Sequence, residues 1–106
     1  MAQQTCKWTG FSGTEYEYYI YEIGQTFDAV PGNYIFARET SPNRFSPIYI
    51  GQTGDLSERF DSHHKMPCIR RAGATHIHAH KNSGGQAARL AEERDLIRAW
   101  NTPCND

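Results

Sequence analysis

Residues 15–23 read EYEYYIYEI, an aromatic and apolar run broken by Glu15, Glu17 and Glu22. Side chains alternate across a strand, so Tyr16, Tyr18 and Ile20 share one face and Tyr19, Tyr21 and Ile23 the other. Ser12-Gly13-Thr14 just before it, together with Gly10, predicts a hairpin back to the first residues. Pro31-Gly32 opens a second apolar run, and a strand is expected over 33–39. The turn cluster TSPNR separates it from SPIYIGQT, a strand expected over 46–53. Residues 32–53 therefore read as a β-hairpin with a loop of several residues. THIHAHK predicts a third core strand over 75–81.

Helical spacing appears twice. Asp55, followed three residues later by Glu58, resembles a capping box. At about 100° per residue Leu56 and Phe60 share a stripe, so a helix is expected over 56–64. Arg59 and His63 would lie side by side at the edge of that stripe. QAARLAEERDLIRAW predicts a second helix over 86–100. Its apolar arc is Leu90, Ile97 and Trp100, with Glu93 inside the arc and Glu92 turned toward water. A carboxylate on a core stripe is costly unless something cationic meets it. A metal ion, Arg59 or a catalytic cleft would answer that cost, and so would a plain buried Glu–Arg pair. MPCIRRAG reads as a short helical or irregular piece closed by Gly73, and NTPCND as an irregular tail.

The 106 residues are enough for one domain with a modest core. No apolar run approaches the ~20 residues that span a bilayer. MAQQTCKWTG has no apolar centre of the signal-peptide kind, so a cytoplasmic location is expected. Cys6, Cys68 and Cys104 have no metal-like spacing, and their odd number argues against a disulfide framework; reduced thiols are expected. The net charge of −1 hides an asymmetry. Residues 1–58 carry three Lys/Arg against seven Asp/Glu, whereas residues 59–106 carry eight against five and all five histidines. A basic second half suits a local anionic partner without demanding one. In HIHAH, residues 76–80, the three histidines share one strand face. That face reads as solvated, as a basic rim touching nucleic-acid backbone, or as a zinc site.

Several of these pieces form one ordered set. Gly32-Asn33-Tyr34 pairs with Tyr49-Ile50-Gly51. Arg59 lies ten residues beyond Tyr49, and His63 four beyond that. Glu93 sits in ERDLI on a later helix, and Asn105 follows in PCN. Together they resemble the GIY-YIG nuclease superfamily, from Gly32 to Asn105. The middle position of the first motif, Asn33 here, varies in that family. His63 matches the histidine of homing-endonuclease-like members, where repair-endonuclease members carry tyrosine. With no accessory DNA-binding domain, the chain is similar to the small standalone members.

The resemblance implies an α/β fold, with a GIY-YIG-like three-stranded antiparallel core sheet flanked by helices. Residues 1–31 would be an N-terminal hairpin extension of the same domain, extending the sheet or covering one face, and 32–106 the nuclease core. It implies a divalent-metal-dependent endonuclease acting on nucleic acid, DNA foremost, with no membrane role. Phosphodiester hydrolysis needs a base for water, a cation at the phosphate and help for the leaving oxygen. The family pattern carries over Glu93 as the holder of one Mg2+ (or Mn2+) and Arg59 as the scissile-phosphate ligand. Tyr34, Tyr49 and His63 would share water activation, with Tyr34 favoured as base and Tyr49 as phosphate or water ligand. Asn105 would support the metal–glutamate region. Lys65, Arg70, Arg71 and Lys81 are the expected nucleic-acid contacts, and a protein partner could supply specificity. Two other classes compete: an inactive nucleic-acid-binding or interaction domain of the same fold, and a zinc-binding module built on His76, His78 and His80.

Overall fold

In this computed structural model, residues 4–58, 60 and 63–105 are described. Five strands and two helices follow in the order β1 (Thr5–Thr9), β2 (Glu15–Glu22), β3 (Gly32–Ser41), β4 (Arg44–Thr53), α1 (Met66–Arg71), β5 (His76–Lys81) and α2 (Gln86–Ala99). The strands make one sheet in the order β1-β2-β5-β3-β4, antiparallel at every pairing. The fold is thus mixed α/β, and the N-terminal hairpin extends the sheet.

The β3–β4 hairpin is tighter than expected. Ser41 pairs with Arg44, leaving Pro42 and Asn43 as the turn. Proline presets the first turn position, and Asn43 takes φ 64°, a left-handed conformation that asparagine tolerates. A register shift after Phe36 leaves Ile48 without a cross-strand partner, so Ile48 and Tyr49 both reach the same side of β4.

Each face of the sheet has its own cover. On the first face Tyr34, Phe36, Ile77 and Ala79 pack beneath Leu56, α1 residues Met66 and Ile69, and Cys104 of the tail. On the second face Ile35, Ala37 and Ile50 join Trp8 and Tyr18 beneath Leu96 of α2. Fully burying one such aliphatic side chain is worth about 1.5–3 kcal/mol.

Three expectations change here. No α-helix covers the described positions of 56–64, where Leu56 and Ser57 lie in a turn and Phe60 in a 3-10 turn; Arg59 itself lies outside the described residues. Asp55 does act as a cap, accepting from the Ser57 N–H at 2.8 Å and from the Ser57 hydroxyl. The backbone nevertheless turns away, because the Leu56 N–H donates to the Val30 carbonyl and seats Leu56 over Gly32. The Glu58 carboxylate goes to the Thr53 hydroxyl instead of closing a capping box. Helix starts soon afterwards, at Met66 with Pro67 in its first turn, a position where the missing proline N–H is not needed.

The thiols are not all reduced. Cys68 and Cys104 form a disulfide across 36 residues, and Cys6 alone is free. An odd count is compatible with one bridge and a spare. In the chain-entropy picture a loop of this length is stabilised by roughly 4 kcal/mol.

The third change is the register of α2. Its buried residues are Arg89, Glu92 and Leu96, while Leu90 and Trp100 are each 36% exposed. Glu92, expected in water, is only 6% exposed. Three strand and loop groups receive it: the Tyr18 hydroxyl donates at 2.5 Å, the His80 ring meets it through Nε2 at 2.6 Å, and the Asn82 amide donates at 3.3 Å.

No helix among the described residues is long and apolar enough to cross a membrane.

Candidate active site at the outer edge of strand β4

Tyr34 and Gly51 are cross-strand partners, as are Phe36 and Tyr49. On a pleated sheet this sets the two tyrosines diagonally on one face, with rings 6.1 Å apart and nearly parallel. Gly51 is not at a turn, since β4 continues to Thr53. What it supplies is space: a Cβ there would stand 2.6 Å from the Tyr34 hydroxyl oxygen and 2.9 Å from the Tyr49 ring. The motif glycine is therefore the slot in which the two phenols meet.

His63 reaches the same place from the connector between β4 and α1. Its Nε2 lies 2.9 Å from the Tyr34 hydroxyl, and its ring stands edge-on to Tyr49 at 4.9 Å. The Lys65 backbone N–H donates to Nδ1 at 3.0 Å. A neutral ring that accepts at Nδ1 carries its proton on Nε2, so His63 donates to Tyr34. Phe60 packs on Tyr34 at 4.8 Å and closes the cluster from below.

Glu93 arrives from the opposite side of the sheet. It lies on α2, which covers the second face, and the backbone N–H of Gln52 on β4 is among the groups that pull its carboxyl down against burial. The carbonyl and N–H of Ile50 are both bound by the Asn105 side chain, each at 2.8 Å, in a two-point contact that imitates a neighbouring strand. Alternate residues of an edge strand point their backbone groups the same way, so Gln52 and Ile50 both face outward. Glu93 thus comes around the free edge of β4, and its charge is felt by Tyr34 and by Tyr49.

Burial disfavours charge throughout this cluster. It pushes Tyr34 far above the ordinary phenol range, helped by Tyr49, Glu93 and Glu58. Tyr49 rises for the same first reason, with Glu93 second. Hydrogen bonding between the two phenols raises Tyr34 and lowers Tyr49. Glu93 is raised by burial against the pull of Arg94 and Gln52, and His63 is lowered by burial and by His64.

Tyr34, Tyr49 and His63 are therefore in contact, Glu93 bears on the two tyrosines through its charge, and Asn105 braces β4, the strand that carries Tyr49. Lys65 adjoins His63. Arg70 and Arg71 end α1 and Lys81 ends β5, all three exposed. Two residues near the cluster were not singled out from sequence as site residues. Glu58 bears electrostatically on Tyr34 and His63. Arg89 is bound to Gln52, the residue whose backbone N–H also bears on Glu93. Neither carries a motif signal; only their nearness in space distinguishes them.

The histidine strand is not a solvated face. His78 is fully buried, receives the Trp8 indole N–H at 3.0 Å and stands edge-on to Phe45 at 4.7 Å. His80 goes to Glu92, and His76 lies against Phe45 at 5.3 Å. Among the described residues no group of three or more His, Cys, Asp or Glu could hold a metal ion.

No protein-family model matches the chain, and no curated protein and no solved structure was found to be similar to it.

Proposed function

We propose that the chain is a divalent-metal-dependent endonuclease of the GIY-YIG kind, hydrolysing phosphodiester bonds in nucleic acid, DNA foremost. The supporting observation is the contact of Tyr34, Tyr49 and His63 on one face of the sheet, with the charge of Glu93 bearing on both tyrosines. Such a set offers a proton acceptor, a hydrogen-bond relay and a lone carboxylate where an extended substrate can approach.

Hydrogen-bond direction favours one arrangement of roles. His63 donates from Nε2 to Tyr34, and hydrogen bonding with Tyr34 lowers Tyr49. Tyr49 is also the less buried phenol. Tyr49 is therefore the better base toward water, and Tyr34 the relay behind it. This exchanges the roles that the family resemblance favoured. Once Tyr49 has released its own proton to bulk water, the phenolate would be stabilised by the Tyr34 donor, which His63 in turn holds in place, and would take the proton of the attacking water. Asn105 caps the backbone of β4 at Ile50 and so keeps that edge from pairing with another strand.

The residues fit a single magnesium-class ion. Glu93 offers a half-buried carboxylate with only one backbone donor, and a hard cation there would keep it ionised. With no three-residue metal group among the described residues, water and phosphate oxygens would complete its shell. When bound, the ion would neutralise charge developing on the phosphate. Arg59, outside the described residues, retains its proposed role at the scissile phosphate.

Supercoiled plasmid, linear duplex and single-stranded DNA and RNA, each incubated with magnesium, manganese or EDTA, test the proposal. Metal-dependent nicking is expected. A purified chain that binds these substrates and cuts none under any metal would make it a binding domain instead.

A further inference from the structure

Arg89 is a largely buried arginine whose guanidinium makes no ion pair with a carboxylate among the described residues. Arg89 is 9% exposed. Its Nε donates to the Gln52 side-chain oxygen at 3.1 Å, and no carboxylate among the described residues pairs with it. A guanidinium has five N–H donors, and one amide oxygen satisfies one of them. It also sits in the first turn of α2, where the aligned backbone dipoles repel a cation, and the helix has no side-chain N-cap. Burial of the stem fixes the guanidinium in place, while its outer nitrogens still reach solvent and can take an anion.

The place is open to one. Nη2 lies 4.0 Å from where a Cβ on Gly54 would stand, and Gly54 is exposed, so the glycine leaves the outer edge of the guanidinium uncovered. Gln52 connects this spot to the cluster: its side chain holds Arg89, and it follows Gly51, the cross-strand partner of Tyr34. Resting on the proposed nuclease reading, we infer that Arg89 is a phosphate-binding residue, gripping a backbone phosphate of the nucleic acid beside the one that is cut. Arginine suits this because its fork can make two parallel bonds to phosphate oxygens.

Binding of a labelled duplex by the full chain, in EDTA so that no strand is cut, tests this across a range of potassium chloride concentrations. Arg89→Met keeps most of the stem and removes the charge; Gly54→Leu keeps the charge and covers it. Each should weaken binding roughly tenfold or more. Each should also make the slope of log affinity against log salt shallower by about 0.9, the loss of one phosphate contact. Arg98→Met, at the far end of the same helix against Phe11, should leave that slope unchanged. Parental slopes in both Arg89→Met and Gly54→Leu would overturn the inference while leaving the nuclease reading intact. If the parent binds no nucleic acid, the nuclease reading fails, and inorganic phosphate becomes the probe. A phosphate-dependent NMR shift of the Arg89 Nε–H, lost in Gly54→Leu, would still establish an anion site, and no shift would dispose of it.

Discussion

Glu92 and Glu93 are neighbours in sequence, yet they belong to opposite regimes of the molecule. On the α2 face, Glu92 meets Tyr18, His80 and Asn82; Asn33 donates to the Arg89 carbonyl; and the Trp8 indole meets His78. Polar groups there are buried and mostly matched. At the β4 edge and on the first face, Tyr34, Tyr49, His63 and Glu93 are pushed toward their uncharged forms by burial, with few partners to hold the charged ones. A cavity of about 450 Å³, lined by Phe27, Phe36, Phe60, Ile69 and Ile77 with Glu58 at its rim, opens beside them. One face is dense and mostly matched, with His78 Nε2 as its exception, and so is built to hold. The other is porous and short of partners, which is the usual condition of groups that must change protonation or accept a ligand.

The largest effect should come from breaking the satisfied side. Glu92→Ala leaves the Tyr18 hydroxyl and the His80 ring without their acceptor, at a cost of about 3–5 kcal/mol. Urea unfolding followed by circular dichroism measures it, and a loss under 1 kcal/mol would mean the network is ornamental. Glu93→Gln should do the reverse. Unfolding should stay near the parent, while magnesium-dependent nicking falls by roughly 10²–10³-fold, the scale of losing one preorganised charge-stabilising group. If the two variants exchange phenotypes, the contrast drawn between the faces is wrong.

A third test uses acid on the dense side. Burial, with His76 adding to it, lowers His78 to about 4. A base that is depressed on folding favours the native state while neutral. Its contribution is therefore complete above the unfolded value near 6.5 and is lost as pH falls toward 4. The full loss is roughly 3 kcal/mol. Unfolding free energies at pH 7 and pH 4 should differ by that much more in the parent than in His78→Leu; an equal pH dependence in both would refute the buried-neutral assignment. The smallest effect is expected at Gly51→Ala. The added methyl meets the Tyr34 hydroxyl and the Tyr49 ring, and overpacking of this kind costs about 1–3 kcal/mol. Nicking should suffer more than stability, because the phenols must separate. Unaltered nicking would show that their spacing is not critical.

What could be read from the chain follows the same division. Alternation exposed β2, whereas β3 and β4 were legible as short apolar runs bounded by turn residues, which is how strands covered on both faces read. Tyr34, Tyr49 and Gly51 were legible as a motif, though the reason for the glycine was not. It is required by a ring on another strand, not by a turn. The face of α2 was misread because a buried carboxylate looks polar in sequence, and its partners Tyr18 and His80 come from other strands, 74 and 12 residues away. The spacing of Leu56 and Phe60 suits a helix equally well as two separate lids, and only the Leu56–Val30 backbone bond decides between them. The Cys68–Cys104 bridge was hidden for a similar reason, since a count of thiols carries no distances.

That bridge also sets how the molecule would come apart. β5, the Ser83–Gly85 loop and α2 all lie inside the covalent ring closed by Cys68 and Cys104. Ser83, Gly84 and Gly85 are exposed, so a protease can reach this stretch. A single cut there would separate α2, with Glu93 and Arg89, from the rest of the backbone, yet both pieces would migrate as one species on a denaturing gel. Only after a reductant is added would the fragments part, and the tail bearing Asn105 would then be free to leave β4. Integrity of the backbone and integrity of the site are thus separate properties in this protein, and the sulfur bridge links them.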